Sequence, residues 1–113
     1  MKDDKTGLEI LKALSEPTRL KIIDMLSCGE MCACHMLEGL SITQSTLSHH
    51  MKVLMDCGLV TGRKDATWMY YTIRMERVAQ FQRFIDELTR PKGDCICNPY
   101  RGKCGNEPQE GGI

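Results

Sequence analysis

The apolar residues of this chain keep a helical period as far as Leu54, switch to a strand pattern between Leu59 and Ile73, and then return to a helical period. That single interruption confines the chain to a mainly α domain carrying one β-hairpin. Leu8, Leu11 and Leu14 recur at i, i+3, i+6 and predict a helix over 5–14. Ser15 is expected to cap the next helix, with Glu16 and Pro17 in its first turn. Leu20, Ile23 and Leu26 form that helix's apolar positions up to Gly29, a natural stop. A short helix is predicted over 31–40. Thr43 then caps a helix with the apolar face Leu47, Met51 and Leu54, which runs through Cys57 and closes at Gly58. Residues 59–63 and 67–73 are rich in β-branched and aromatic types and predict the two hairpin strands, separated by Lys64-Asp65-Ala66. Val78, Phe81, Ile85 and Leu88 give a last amphipathic helix over 75–90, ended by Pro91.

The expected organisation is one domain over 1–90 and a flexible, Cys-containing tail over 91–113, which has five Gly and three Cys but few apolar residues. Fifteen Lys and Arg balance fifteen Asp and Glu, which excludes a polybasic coat, so any nucleic-acid surface must come from local clustering. No apolar run reaches the ~18 residues of a membrane span, and Met1-Lys2-Asp3-Asp4 does not open a secretory signal. A cytoplasmic protein without a membrane partner is expected.

Two short helices joined by a tight turn and followed by a hairpin have the order of a winged helix-turn-helix, a binder of double-stranded DNA. The second helix opens with small hydroxyls and an amide that can approach bases and phosphates closely. Gln offers bidentate bonds to adenine, and Ser and Thr bond phosphate or base. The candidate DNA-binding residues are Thr43, Gln44, Ser45, Thr46, Ser48, His49, His50 and Lys52, with Arg63 and Lys64 of the hairpin reaching phosphates. From Thr43 to Arg74 four cations stand against two carboxylates, so the segment is basic only locally.

The seven cysteines, an odd number, argue against a disulfide framework and for a reducing compartment. Cys28 and Cys57, each at a helix end, read as small buried hydrophobes. Cys32 with Cys34, and the Cys95, Cys97, Cys104 group, are too dense for packing and read as ligands for a soft ion. If both lie on one helix, Cys32 and Cys34 point about 200° apart. Two thiolates on one ion, with bonds of ~2.3 Å, must come within about 4 Å of each other. Ligation would therefore unwind the first turn of the helix that supports the recognition helix. A helix N-terminus would also lower the thiol pKa. His35 beside the pair reads as exposed. Met25, Met31, Met36, Met51, Met55, Met69 and Met75 read as core filler. No cysteine lies in a phosphate-cradling Gly-rich loop or beside an evident base, so a thiol enzyme such as an arsenate reductase is not expected.

Three segments resemble the ArsR/SmtB family of bacterial metal-sensing repressors. They are Leu14-Ser15-Glu16-Pro17-Thr18-Arg19-Leu20-Lys21-Ile22, then Thr46-Leu47-Ser48-His49-His50-Met51-Lys52-Val53-Leu54 with Gly58-Leu59-Val60, and the hairpin 63–71. The resemblance covers roughly residues 8 to 90. It implies a homodimer whose first and last helices form the dimer core, and operator affinity that falls when an inducer binds.

The family's zinc sensors use His and carboxylates on the last helix. Here that helix offers Glu76, Asp86 and Glu87, and no His follows His50. Clustered thiolates instead select soft ions. Glu30-Met31-Cys32-Ala33-Cys34-His35-Met36 is similar to the arsenite-sensor version, which implies As(III) or Sb(III) as inducer, no organic cofactor, and control of arsenic resistance genes. Such sensors commonly carry a third Cys where this chain has Leu37. The tail trio is the competing site, and a joint site is the third arrangement. The alternative reading is a repressor of the same fold responding to Cd(II), Pb(II), Zn(II) or thiol oxidation.

Overall fold

The computed structural model describes residues 4–91. Among them the element order is α1 (Asp4–Leu14), α2 (Pro17–Leu26), β1 (Met31–Cys32), α3 (Ala33–Gly39), α4 (Gln44–Asp56), β2 (Val60–Asp65), β3 (Trp68–Ile73) and α5 (Met75–Thr89). The expected mainly α architecture with a β-hairpin is present, and the hairpin is extended to an antiparallel sheet of order β1-β3-β2. The tail, with Cys95, Cys97 and Cys104, lies outside the described residues.

Ile10, Ile22, Met36, Leu47, Met51, Leu54 and Val60 are fully buried and come from α1, α2, α3, α4 and β2, so one core joins the helices to the base of the hairpin. Each such side chain contributes about 1.5–3 kcal/mol by leaving water. The first two helices are rotated from the faces that the spacing suggests. In α1 the core residues are Ile10 and Ala13, while Leu8 and Leu11 are exposed; in α2 they are Ile22 and Leu26, while Leu20 is 53% exposed. An apolar stripe fixes a helix's inward face only where no second apolar surface competes for it. No residue of α5 is fully buried, and Leu88 and Met75 are 62% and 67% exposed. Met75 is therefore not core filler, unlike Met36 and Met51. Gly7 brings α1 and α5 together, since a Cβ there would lie 2.5 Å from the Phe84 ring.

Glu16, not Ser15, caps α2. Pro17 disfavours the helical conformation in the residue before it, and Glu16 is extended (φ −146°, ψ 128°). Its side chain accepts from the Arg19 N–H at 2.9 Å, while the Ser15 hydroxyl donates back to the Lys12 carbonyl and finishes α1. The helix expected over 31–40 begins two residues late because Met31 and Cys32 pair with Tyr71 and Tyr70 of β3. Thr43 caps α4 as expected, accepting from the Thr46 N–H at 3.1 Å. Gly58 ends that helix at φ +86°, and a Cβ there would meet the Arg77 guanidinium at 2.8 Å. The first hairpin strand runs two residues further than predicted and the second begins one residue later. Asp65 pairs with Trp68, leaving Ala66 and Thr67 as the turn, with Ala66 at φ +59°.

Candidate nucleic-acid interface and sulfur site

Helix α4 turns Leu47, His50, Met51 and Leu54 to the core and leaves Gln44, Ser45, Thr46, Ser48, His49 and Lys52 exposed. The exposed set begins at the helix N-terminus, where small polar side chains and unpaired N–H groups suit close approach to a duplex. Thr43 is exposed, but its hydroxyl is committed locally: it accepts the Thr46 N–H and donates to the Thr46 hydroxyl at 3.0 Å. Lys52 carries an i,i+4 ion pair with Asp56 at 3.3 Å on the open surface.

His50 does not belong to the outward face. It is 8% exposed, and the Arg19 guanidinium donates to its Nδ1 at 3.0 Å while the Arg19 Nε donates to the Ala13 carbonyl. Arg19 thus fastens the end of α1 and the start of α2 to the middle of the recognition helix. The signal was available in the spacing, since residue 50 stands at i+3 from Leu47 and i−4 from Leu54, on the buried face.

On the hairpin, Lys64 is exposed near the tip. Arg63 is held. Its Nε and Nη2 donate to the two Glu30 carboxylate oxygens at 2.8 and 2.9 Å, and its guanidinium lies 4.7 Å from the centre of the Tyr70 ring. The Arg63 guanidinium keeps the Glu30 carboxyl below its usual range. Because Glu30 precedes β1 and Arg63 lies on β2, this bidentate pair crosses the central strand β3 and ties the sheet together.

Beside it, Cys32 and Cys34 bring their sulfurs within 2.8 Å. The opposed geometry expected from a common helix is therefore overturned. Cys32 is the extended N-cap residue of α3 (φ −76°, ψ 143°), which swings its side chain over the first turn, where its sulfur accepts from the Cys34 N–H at 3.4 Å. Both thiols face one point without any unwinding. The Cys34 thiol stabilises a Cys32 thiolate and lowers the Cys32 pKa from the ordinary thiol range, and the same contact raises that of Cys34. The helix end is not the leading cause. Tyr70 is the register partner of Cys32 across β1 and β3, a neighbour that only the sheet pairing reveals.

Of the remaining cysteines, Cys57 is buried as expected. Its thiol donates to the Leu54 carbonyl, and burial raises its pKa. Cys28 is exposed, contrary to its reading as a buried hydrophobe, because it follows the last turn of α2 in the bend that Gly29 closes. His35 is exposed. Among the described residues no group of three or more His, Cys, Asp or Glu converges as a metal site.

A two-helix turn presenting a polar helix face, with a three-stranded wing beside it, defines a winged helix DNA-binding domain. A family profile described as bacterial regulatory protein, arsR family, matches residues 16–61, from the cap of α2 into β2. The chain is 45% identical over 96 residues to the arsenical resistance operon repressor of Staphylococcus xylosus, covering 84% of this chain and 92% of that one. It is 43% identical, with the same coverage, to the repressor of the same name from Staphylococcus aureus. A solved homodimeric winged helix-turn-helix domain from Mycobacterium bovis superposes with a TM-score of 0.62 at 28% identity, over 74% of this chain and 78% of that one. The chain belongs to the arsR family of bacterial regulatory proteins: it is a DNA-binding transcriptional regulator and not an enzyme. Among the described residues no helix is long and apolar enough to cross a membrane.

Proposed function

We propose that this protein is a cytoplasmic, homodimeric repressor that holds double-stranded operator DNA and releases it when As(III) or Sb(III) is captured by Cys32 and Cys34, derepressing arsenic resistance genes. The observation that carries this function is the 2.8 Å separation of two sulfurs at the junction of the wing sheet and the helix before the recognition helix. A soft ion with bonds of ~2.3 Å to each thiolate needs sulfurs within about 4 Å, and the pair meets that requirement. Two thiolates leave one position of a three-coordinate ion to be filled by solvent or by Cys95, Cys97 or Cys104. The names of the two staphylococcal relatives support an arsenical inducer.

In the DNA-bound form Gln44, Ser45, Ser48 and His49 read the major groove while Lys52, Arg63 and Lys64 contact phosphates, so affinity falls steeply with salt. The mycobacterial neighbour is homodimeric, and the dimer of this chain forms through the apolar surface that α1 and α5 leave exposed, with Leu8, Leu11 and Leu88. Capture at the thiols removes the Cys32 cap from the Cys34 N–H and disturbs the edge strand that Glu30 and Arg63 bind, so neither wing nor helix α3 keeps its DNA-competent position. Turning 1:99 into 99:1 takes about 5.5 kcal/mol of differential affinity.

The experiment is an operator-binding titration with As(III), Sb(III), Cd(II), Zn(II) and peroxide, run on the parent, on Cys32→Ser/Cys34→Ser and on Cys95→Ser/Cys97→Ser/Cys104→Ser. Release by As(III) or Sb(III) that vanishes in the first variant supports the proposal. Release that survives there and vanishes in the second assigns sensing to the tail. Release only by Cd(II), Zn(II) or peroxide replaces the inducer.

A further inference from the structure

Arg19 meets three helices at once. Its backbone N–H donates to the Glu16 carboxylate that caps α2, its Nε donates to the Ala13 carbonyl at the end of α1, and its Nη1 donates to His50 Nδ1, 3.0 Å away in the middle of α4. A guanidinium accepts nothing, so this Nδ1 carries no proton and the ring is neutral. Among the described residues no other hydrogen bond joins α4 to α1 or α2. Packing leaves the seam open: α1 and α4 flank a cleft of about 330 Å³, with Glu9 and Lys12 on one side, Val53, Asp56 and Cys57 on the other, and Arg19 in its wall. Interlocked side chains fix a helix crossing angle only to within about 15–20°. The residual freedom of α4 is therefore limited by one directional contact, between His50 and Arg19.

We infer that Arg19, acting through His50, is the positioning residue that sets the tilt of α4 against α1 and thereby the half-site spacing that the dimer accepts. This rests on the dimeric, operator-binding reading above, in which α1 lies in the contact between protomers and α4 enters the groove. Gln44, at the outer end of α4, is six residues from His50, about 9 Å along the helix axis. A tilt of about 10° about His50, inside the latitude of the packing, moves that end by about 1.6 Å. Along the duplex, two-fold symmetry doubles the shift to about 3 Å, close to the ~3.4 Å rise of one base pair. The brace is thus worth one step of register. With it the two helices meet half-sites at a single separation; without it neighbouring separations become nearly equivalent.

The probe is the duplex that the full-length parent dimer selects from a random-sequence library, prepared with its half-sites at the selected separation and one base pair closer or farther. Affinities are measured well below the melting temperature of every protein used. The parent is expected to prefer the selected separation by about tenfold or more. His50→Leu fills similar space but offers no acceptor, and its preference should fall to about threefold or less. His50→Asn places its Oδ1 where Nδ1 stands and should restore the parental preference. Arg19→Met, which cannot donate, should behave like His50→Leu. A folding defect alone would weaken all three duplexes equally and leave the preference unchanged. His50→Leu with the parental preference, or His50→Asn as indifferent as His50→Leu, overturns the inference while the dimer stands. A parent that sediments as a monomer on the duplex, or that ignores the separation, overturns the dimeric reading, and the inference with it.

Discussion

The sulfur atoms of Cys32 and Cys34 lie 2.8 Å apart because the first residue is the extended cap of a helix and the second is already inside it. Adjacent turns of a helix would not bring i and i+2 together; the strand-to-helix junction does. The pair shares its protons, so its two titrations part company, with Cys32 below the ordinary thiol range and Cys34 above it. Alkylation with a small iodoacetamide reagent, followed site by site by mass spectrometry, is expected to have a lower pH midpoint at Cys32 than in a free cysteine and a higher one at Cys34. Cys57, buried against Leu54, should stay unmodified until the protein unfolds.

The two neighbouring histidines of α4 have different surroundings, His50 buried and His49 exposed, and substitution separates them. His50→Ala leaves the Arg19 guanidinium without its Nδ1 acceptor and should cost about 1–3 kcal/mol of folding stability. His49→Ala, on the exposed face, should leave the urea midpoint within error and weaken operator binding. A stability loss in His49→Ala equal to that of His50→Ala would contradict the assignment of faces.

Ala66 occupies the left-handed region at φ +59°, where a Cβ is strained. Replacing it with Gly is expected to raise stability by about 0.5–1 kcal/mol, a rise of a few degrees in melting temperature for a domain of this size, with the operator sequence preference unchanged. Calorimetry of the two proteins at equal dimer concentration checks it.

The Glu30–Arg63 pair gives the wing an acid limit. The folded Glu30 carboxyl titrates below its ordinary value of 4.5, so the stability it contributes is fully present above that value and is lost as pH falls through the lower, folded one. Urea unfolding from pH 6 down to pH 3 should show the parent above Glu30→Gln at the neutral end and the two curves converging at the acid end. Parallel curves would mean that the pair does not hold the sheet.

Much of this architecture was legible in the apolar spacing, because the periods of α4 and the hairpin have only one way to bury Leu47, Met51, Leu54 and Val60. The exposed polar residues of α4, from Gln44 to Lys52, followed from the same face. What the spacing could not reveal was tertiary. Strand β1 exists because β3 offers an edge to pair with, and no local pattern in Met31-Cys32 encodes that. The convergence of Cys32 and Cys34 depends on that strand, as does the placement of Tyr70 opposite Cys32. The outward turn of Leu8, Leu11 and Leu88 likewise defeats a one-chain reading, since an apolar stripe looks the same whether it covers its own core or another surface.

In the proposed mechanism an ion on the Cys32–Cys34 pair and operator DNA compete through one protein conformation. This competition is tested most directly by fluorescence anisotropy of labelled operator fragment with the parent dimer and with Cys32→Ser/Cys34→Ser, titrated with As(III) at fixed salt. The parent is predicted to dissociate as As(III) rises while the variant stays bound at the metal-free affinity. A parent dimer that binds As(III) at these sulfurs yet keeps its metal-free operator affinity would contradict the account.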